Sequence, residues 1–135
     1  MAELNLQATL ENLDKVLNFV NQYLEEYECP MKAQMQIDIA IEEIFVNIAH
    51  YAYHPSTGPA SICVDVEEDP LQVSISFADN GIPYDPLKKD DPDIGLSADE
   101  REIGGLGIFM VKKSMDNISY QYKDGSNILT IKKKF

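Results

Sequence analysis

Ser61-Ile62-Cys63-Val64-Asp65-Val66-Glu67-Glu68-Asp69-Pro70-Leu71-Gln72-Val73-Ser74-Ile75-Ser76-Phe77 alternates apolar and polar residues on both sides of one break. A period of two puts Ile62, Val64 and Val66 on one face of a strand, and Leu71, Val73, Ile75 and Phe77 on one face of the next. The acidic, proline-bearing Glu68-Asp69-Pro70 reads as the connection of a hairpin. Before this hairpin the period changes. Leu13, Val16, Leu17, Val20, Tyr23, Leu24 and Tyr27 recur at helical spacing, and Pro30 closes that helix and opens another. The second helix is expected over residues 31–51, with Ile37, Ala40, Ile41, Ile44 and Ile48 as its apolar stripe. Leu4, Leu6, Ala8 and Leu10 alternate as a short leading strand, and residues 54–59 form a turn cluster.

Beyond the hairpin, residues 78–104 are rich in Asp, Pro and Gly and have no period. A stretch of that length inside a compact domain is usually a functional lid or a disordered segment. Helical spacing resumes at Ile108, Val111 and Met115, and residues 118–122 and 128–131 read as a final hairpin across Asp124-Gly125-Ser126-Asn127. The order β-α-α-β-β-lid-α-β-β predicts an α+β fold: a two-layer sandwich of a mixed, mostly antiparallel sheet with helices on one face.

The 135 residues make one domain, residues 1–135. With 23 acidic residues against 11 basic ones the net charge is −12, which repels phosphate backbones and anionic membrane faces and suits a partner with a basic patch. Direct nucleic-acid binding and membrane association are therefore not expected, and the closing Lys132-Lys133-Lys134 reads as an exposed charged tail. Cys29 and Cys63 stand far apart with no C-x-x-C companion, which indicates packed free thiols in a reducing compartment. No basic leader or bilayer-length apolar run is present, so the expected location is cytoplasmic.

Three constellations bear chemistry. In Glu42-Glu43-Ile44-Phe45-Val46-Asn47-Ile48-Ala49-His50-Tyr51, Glu43 and Asn47 are four apart and project from one helical face. An amide oxygen there could hold magnesium together with substrate phosphates, leaving Glu43 as a general base. The same pair also suits a plain solvated helix surface, and His50 suits a surface histidine. In Phe77-Ala78-Asp79-Asn80-Gly81, Asp79 ends a buried strand and needs a donor, such as an adenine amine, while Gly81 allows close backbone approach. Asp-Asn-Gly is equally a ready turn. In Gly104-Gly105-Leu106-Gly107-Ile108, glycines at a helix start offer free N–H groups to a phosphate. It is not a dinucleotide fingerprint, since Met110 stands where the third glycine would be, and no P-loop occurs.

Together and in this order the three resemble the N box (Glu43, Asn47) and the two glycine boxes (Asp79-x-Gly81, Gly105-x-Gly107) of the GHKL, or Bergerat-fold, ATPases. The likeness is narrower still to the bacterial anti-sigma regulatory factors that are serine-protein kinases. Glu42, Glu43, Asn47, His50, Ala52 and Tyr53 match one run of that family and Asp79 to Pro86 a second. Gly104 to Phe109 with Met115-Asp116, and Gly125 to Thr130, match two more, so the likeness spans nearly the whole chain. The resemblance implies Glu43 as general base, Asn47 as magnesium ligand and Asp79 as adenine reader with Thr130 beside it. It further implies that Gly81, Gly105 and Gly107 line the nucleotide, that residues 87–103 form an ATP lid, and that Arg101 at its end is near the phosphates. The lid's Asp90-Asp91-Pro92-Asp93 is acidic for a phosphate cover, and only Lys88, Lys89 and Arg101 are there to offset it. The implied function is an ATP- and Mg2+-dependent protein serine/threonine kinase that holds a sigma factor and phosphorylates its antagonist. The competing expectation is an ATP-binding module that switches partners without phosphate transfer. The family often pairs as homodimers, so a homodimer is expected.

Overall fold

In the computed structural model, which describes residues 2–88 and 105–135, the sequence order of elements is the expected one. Strand β1 (Ala2–Gln7) leads through a 3-10 turn (Leu10–Asn12) into α1 (Leu13–Glu26) and α2 (Met31–Asn47). A wide π turn (Ile48–Ala52) extends α2 before the hairpin β2 (Pro59–Glu67) and β3 (Gln72–Asp79). After the short turn Pro86–Lys88 come α3 (Gly105–Ser114), β4 (Asn117–Lys123) and β5 (Ser126–Lys134). What ends α1 is Glu28, whose φ of 57° lets the Cys29 N–H reach back to the Leu24 carbonyl at 2.9 Å. Pro30 serves only as the residue preceding α2.

The five strands lie in the order β1-β2-β3-β5-β4, and every described pairing is antiparallel. The expected mixed sheet is thus corrected in this respect. Two helices separate β1 from β2, an even number of passes, so β2 returns against β1. A single helix separates β3 from β4, which makes those two parallel, but β5 lies between them. The tight connection that allows this is Asp124-Gly125, with φ of 53° and 81° at its two residues, the backbone a two-residue hairpin turn demands. The ladder accordingly reaches Ser126 and runs on to Lys134. Lys132 to Lys134 are therefore strand residues and not a loose tail, and the Lys133 ammonium donates to the Ser114 carbonyl at 2.7 Å at the end of α3.

Helices cover one face of the sheet. Val16, Val20 and Leu24 from α1, Ile37, Ala40, Ile41, Ile44 and Phe45 from α2, and Val111 from α3 meet Ile62, Val64, Val73, Ile75, Phe77, Leu129 and Ile131. Asn21 donates to Asp38 at 2.9 Å and accepts from Gln34 at 2.5 Å, fixing α1 on α2 by polar bonds. The opposite sheet face is polar, with Ser76 and Thr130 hydroxyls 3.0 Å apart across β3 and β5. Among the described residues no helix is long and apolar enough to cross a membrane.

Ile75 and Ser76 are neighbours on opposite faces of the central strand, so they separate the two environments. Ile75→Ala should lower stability by about 2–5 kcal/mol, the usual loss for a fully buried aliphatic side chain. Ser76→Ala, which removes one partly exposed hydrogen bond, should lower it by about 0.5–1.5 kcal/mol. Urea unfolding of the two variants measures both, and equal losses would mean that the faces are assigned wrongly.

Candidate functional site

β3 ends, β2 begins and α2 ends at the same edge of the sandwich, because Asp79 pairs with Ala60 and α2 runs into β2 through one turn. Here the first two constellations meet. The Ile82 N–H donates to the Ala52 carbonyl at 3.0 Å. A β-carbon added to Gly81 would fall 2.1 Å from that same carbonyl oxygen, so the need for glycine here is close approach to the end of the α2 extension. Tyr53 completes the tie. Its hydroxyl donates to the Pro59 carbonyl at 2.6 Å and accepts from the Asn80 N–H at 2.7 Å.

Asp79 is buried, and its Oδ1 accepts from the Gly81 N–H at 2.9 Å and from the Asn127 amide at 3.0 Å. No donor to its Oδ2 occurs among the described residues, so one carboxylate oxygen is held while the other is available to a ligand donor. Asn127 is itself buried and fully engaged. Its Nδ2 also donates to the Ile82 carbonyl at 2.9 Å, and its Oδ1 accepts from the Tyr84 N–H at 3.1 Å and from the Tyr120 hydroxyl. Burial, with Asp85 and Asp79 nearby, pushes the Tyr120 phenol up, so it stays a donor.

This corrects the placement of Thr130. The residue opposite Asp79 on β5 is Asn127, whereas Thr130 is opposite Ser76 and bonds to it on the other sheet face. A shift of three along a strand reverses the face, so Thr130 is not brought to Asp79. Asn127 has a signal in the sequence. It is the polar first member of the core-facing row Asn127-Leu129-Ile131, and a polar residue in a buried row needs partners.

On α2, Asn47 donates to Glu43 Oε1 at 3.2 Å, as the four-residue spacing requires. With its NH2 turned to the carboxylate, the Asn47 carbonyl oxygen is left as a hard-cation acceptor. No cluster of three or more His, Cys, Asp or Glu side chains able to hold a metal occurs among the described residues. That suits a cation held by few protein oxygens and by a ligand's phosphates. The third constellation joins the same place. A β-carbon on Gly107, in the first turn of α3, would fall 1.9 Å from the Glu43 carboxyl carbon, so glycine here lets α3 lie against Glu43 with its carboxyl in place, and a larger residue would push that side chain aside. Gly105 opens α3, where helix N–H groups lack intrahelical acceptors. Arg101, Lys89, the acidic run 90–93 and most of the 87–103 lid lie outside the described residues. His50 is exposed and edge-on to Tyr51, apart from the polar cluster.

Burial raises the Glu43 carboxyl above its ordinary value, the Asn47 bond opposes this, and Glu42 adds to it. A carboxyl raised in the folded state contributes stability below its unfolded value and loses it as pH rises through its folded value. At neutral pH the ionised side chain is therefore a burden on the fold. Glu43→Gln should unfold at higher urea than the parent at pH 7.5, and the difference should vanish below the ordinary glutamate range. A variant less stable than the parent at both ends would contradict this reading.

Comparison with known proteins agrees with the geometry. The chain matches the histidine kinase-like ATPase domain over residues 6–133. It is 32% identical over 100 residues to the serine/threonine-protein kinase BtrW of Bordetella bronchiseptica, covering 74% of this chain and 70% of BtrW. It is 31% identical over 98 residues to the serine-protein kinase RsbW of Bacillus cereus, covering 70% of this chain and 60% of RsbW. The fold resembles the RsbU and RsbW domains of Rv1364c from Mycobacterium tuberculosis, with a TM-score of 0.67 and 17% identity over 98% of this chain and 32% of that one. It also resembles a chain of the SiaB–SiaC complex from Pseudomonas aeruginosa, with a TM-score of 0.64 and 15% identity over 100% of this chain and 90% of that one. The chain belongs to the histidine kinase-like ATPase domain family and is a homologue of the serine/threonine-protein kinase BtrW and the serine-protein kinase RsbW.

Proposed function

We propose that the chain binds ATP with Mg2+ and transfers the terminal phosphate to a serine of a protein, acting as an anti-sigma factor and as the kinase of that factor's antagonist. The observation that carries the reading is the meeting of Asn47 and Gly107 at Glu43: an amide and a helix start each contact a raised carboxyl. Asp79 Oδ2 would accept from the adenine amine, Asn47 Oδ1 would hold the magnesium, and Gly105 and Gly107 would face the phosphates. A bound magnesium ion would neutralise phosphate charge during transfer. Glu43 would take the serine hydroxyl proton as the serine oxygen takes the phosphoryl group and ADP leaves. A raised pKa suits that role, because a base works best when its pKa lies nearer the working pH. With this reading go a sigma factor as second partner, control of transcription, pairing as a homodimer and action in the cytoplasm.

Two measurements test the reading. Incubation with labelled ATP and native extract freed of nucleotides should place phosphoserine on an extract protein. Glu43→Gln should keep ATP affinity and slow that transfer by about 10²–10⁴-fold, the usual contribution of a general base. ATP bound without any transfer by the parent chain would identify a nucleotide-dependent switch instead. ATP should also bind at least tenfold more tightly than GTP, because guanine turns a carbonyl oxygen towards Asp79, and a hydrogen bond to a charged group is worth about 1.5–3 kcal/mol. Equal affinities would remove Asp79 from base recognition.

A further inference from the structure

The solvent side of α2 carries an apolar row. Met31, Met35 and Ile39 follow one another at steps of four and are 77%, 58% and 60% exposed, while Ile37, Ala40, Ile41, Ile44 and Phe45 fill the core side. Steps of four form one continuous ridge along a helix, and the next two steps on this ridge are Glu43 and Asn47. α3 packs beside α2 and runs the other way, since α2 approaches the site edge of the sheet and α3 leaves it. Three residues on from Gly107, which touches Glu43, stands Met110, 53% exposed. Single exposed apolar residues are ordinary on a soluble protein, but a line of them leading to a reactive carboxylate marks a contact surface. Three of the four are methionines, flexible side chains that fit themselves to a partner.

We propose that this ridge is where the serine-bearing protein docks, laying an apolar segment along Met31, Met35 and Ile39 so that its serine arrives at Glu43. The proposal rests on the kinase reading above. Continuity argues for this occupant, because a protein lying on the ridge reaches the base without leaving α2. Charge narrows it further. Exposed Glu42 stands at the site end of the ridge on a chain of net charge −12, which favours a partner with basic residues beside its serine. It disfavours a second copy of this chain, equally acidic, and an anionic membrane.

Met35→Ser/Ile39→Ser removes two of the three ridge residues, at exposed positions outside the core. ATP affinity and the urea midpoint should match the parent. Parent and variant are each fixed to a support, loaded with a non-hydrolysable ATP analogue and magnesium, and washed with native extract. Bound proteins are eluted and incubated with ATP and free parent chain, and phosphoserine is read by mass spectrometry. The proposal expects the phosphoserine acceptor to be held by the parent and at least tenfold less by the variant. Equal retention of that acceptor overturns it, as does a parent that retains no acceptor. Loss of a retained protein that never gains phosphate overturns both the docking role and the kinase reading. Loss of acceptor together with a change from dimer to monomer, read by light scattering, assigns the ridge to a second copy and also overturns it.

Discussion

Asp79 is a carboxylate withdrawn from water at the end of the central hairpin, and such a group persists only where donors meet it. The donors here come from two directions: the Gly81 N–H from the turn that Asp79 begins, and the Asn127 amide from the neighbouring strand. Asn127 in turn holds the Ile82 carbonyl and the Tyr84 N–H, so one amide fixes the path of the whole turn after β3. That turn then rests on Ala52, the last residue of the α2 extension. The chain of dependence thus runs from a buried charge to a strand register, from the register to a loop, and from the loop to a helix end. Removing the amide would take one of its two donors from the buried Asp79, at a cost of about 1–3 kcal/mol, and would release the loop as well.

α2 divides its circumference among three tasks. Its Ile37, Ile41, Ile44 and Phe45 side supplies the core, its Gln34 and Asp38 side bonds to Asn21 of α1, and its Glu43 side receives α3. The last contact is close, because Gly107 lies where a β-carbon would displace the Glu43 carboxyl. It also explains how a carboxyl on a helix surface comes to be partly desolvated: the covering α3 backbone excludes water from it. The glycine of the third constellation thus helps set the acidity of a residue in the first.

Much of this was legible in the sequence because it follows from periodicity. Alternation from Ser61 to Phe77 and the i, i+4 recurrence in α2 report which side chains are buried, and burial determines the layers. The meeting of the Glu43, Asp79 and Gly107 motifs was legible only through family likeness, since spacing along the chain contains no distance across it. Strand order was less visible. That β5 separates β3 from β4 depends on pairing energies between distant segments, so the sheet was expected to be mixed. Thr130 and Asn127 differ by three positions, and a period of two gives those positions opposite faces. Choosing the polar residue in the row with Leu129 and Ile131 would have found the partner of Asp79. Lys133 was hidden for another reason: a lysine at a chain end reads as solvated until a helix end needing a donor is placed beside it.

An acidic chain that takes up a nucleotide has to solve an electrostatic problem locally. With net charge −12 the long-range field opposes any phosphate, and screening at physiological salt reduces that field beyond about 8 Å without reversing it. Attraction must therefore come from groups in contact, and the groups available are the N–H groups at the start of α3 and, for a cation, an uncharged oxygen such as that of Asn47. An amide would suit this better than a carboxylate, because a magnesium ion held there would keep its full charge for the phosphates. Glu43, one helical turn away, would then keep its own charge for a proton in the proposed transfer. In the proposed reading, dividing the work between a neutral ligand and a charged base on one helix face would let an acidic surface hold a more acidic ligand, and the same acidity would favour a basic protein partner.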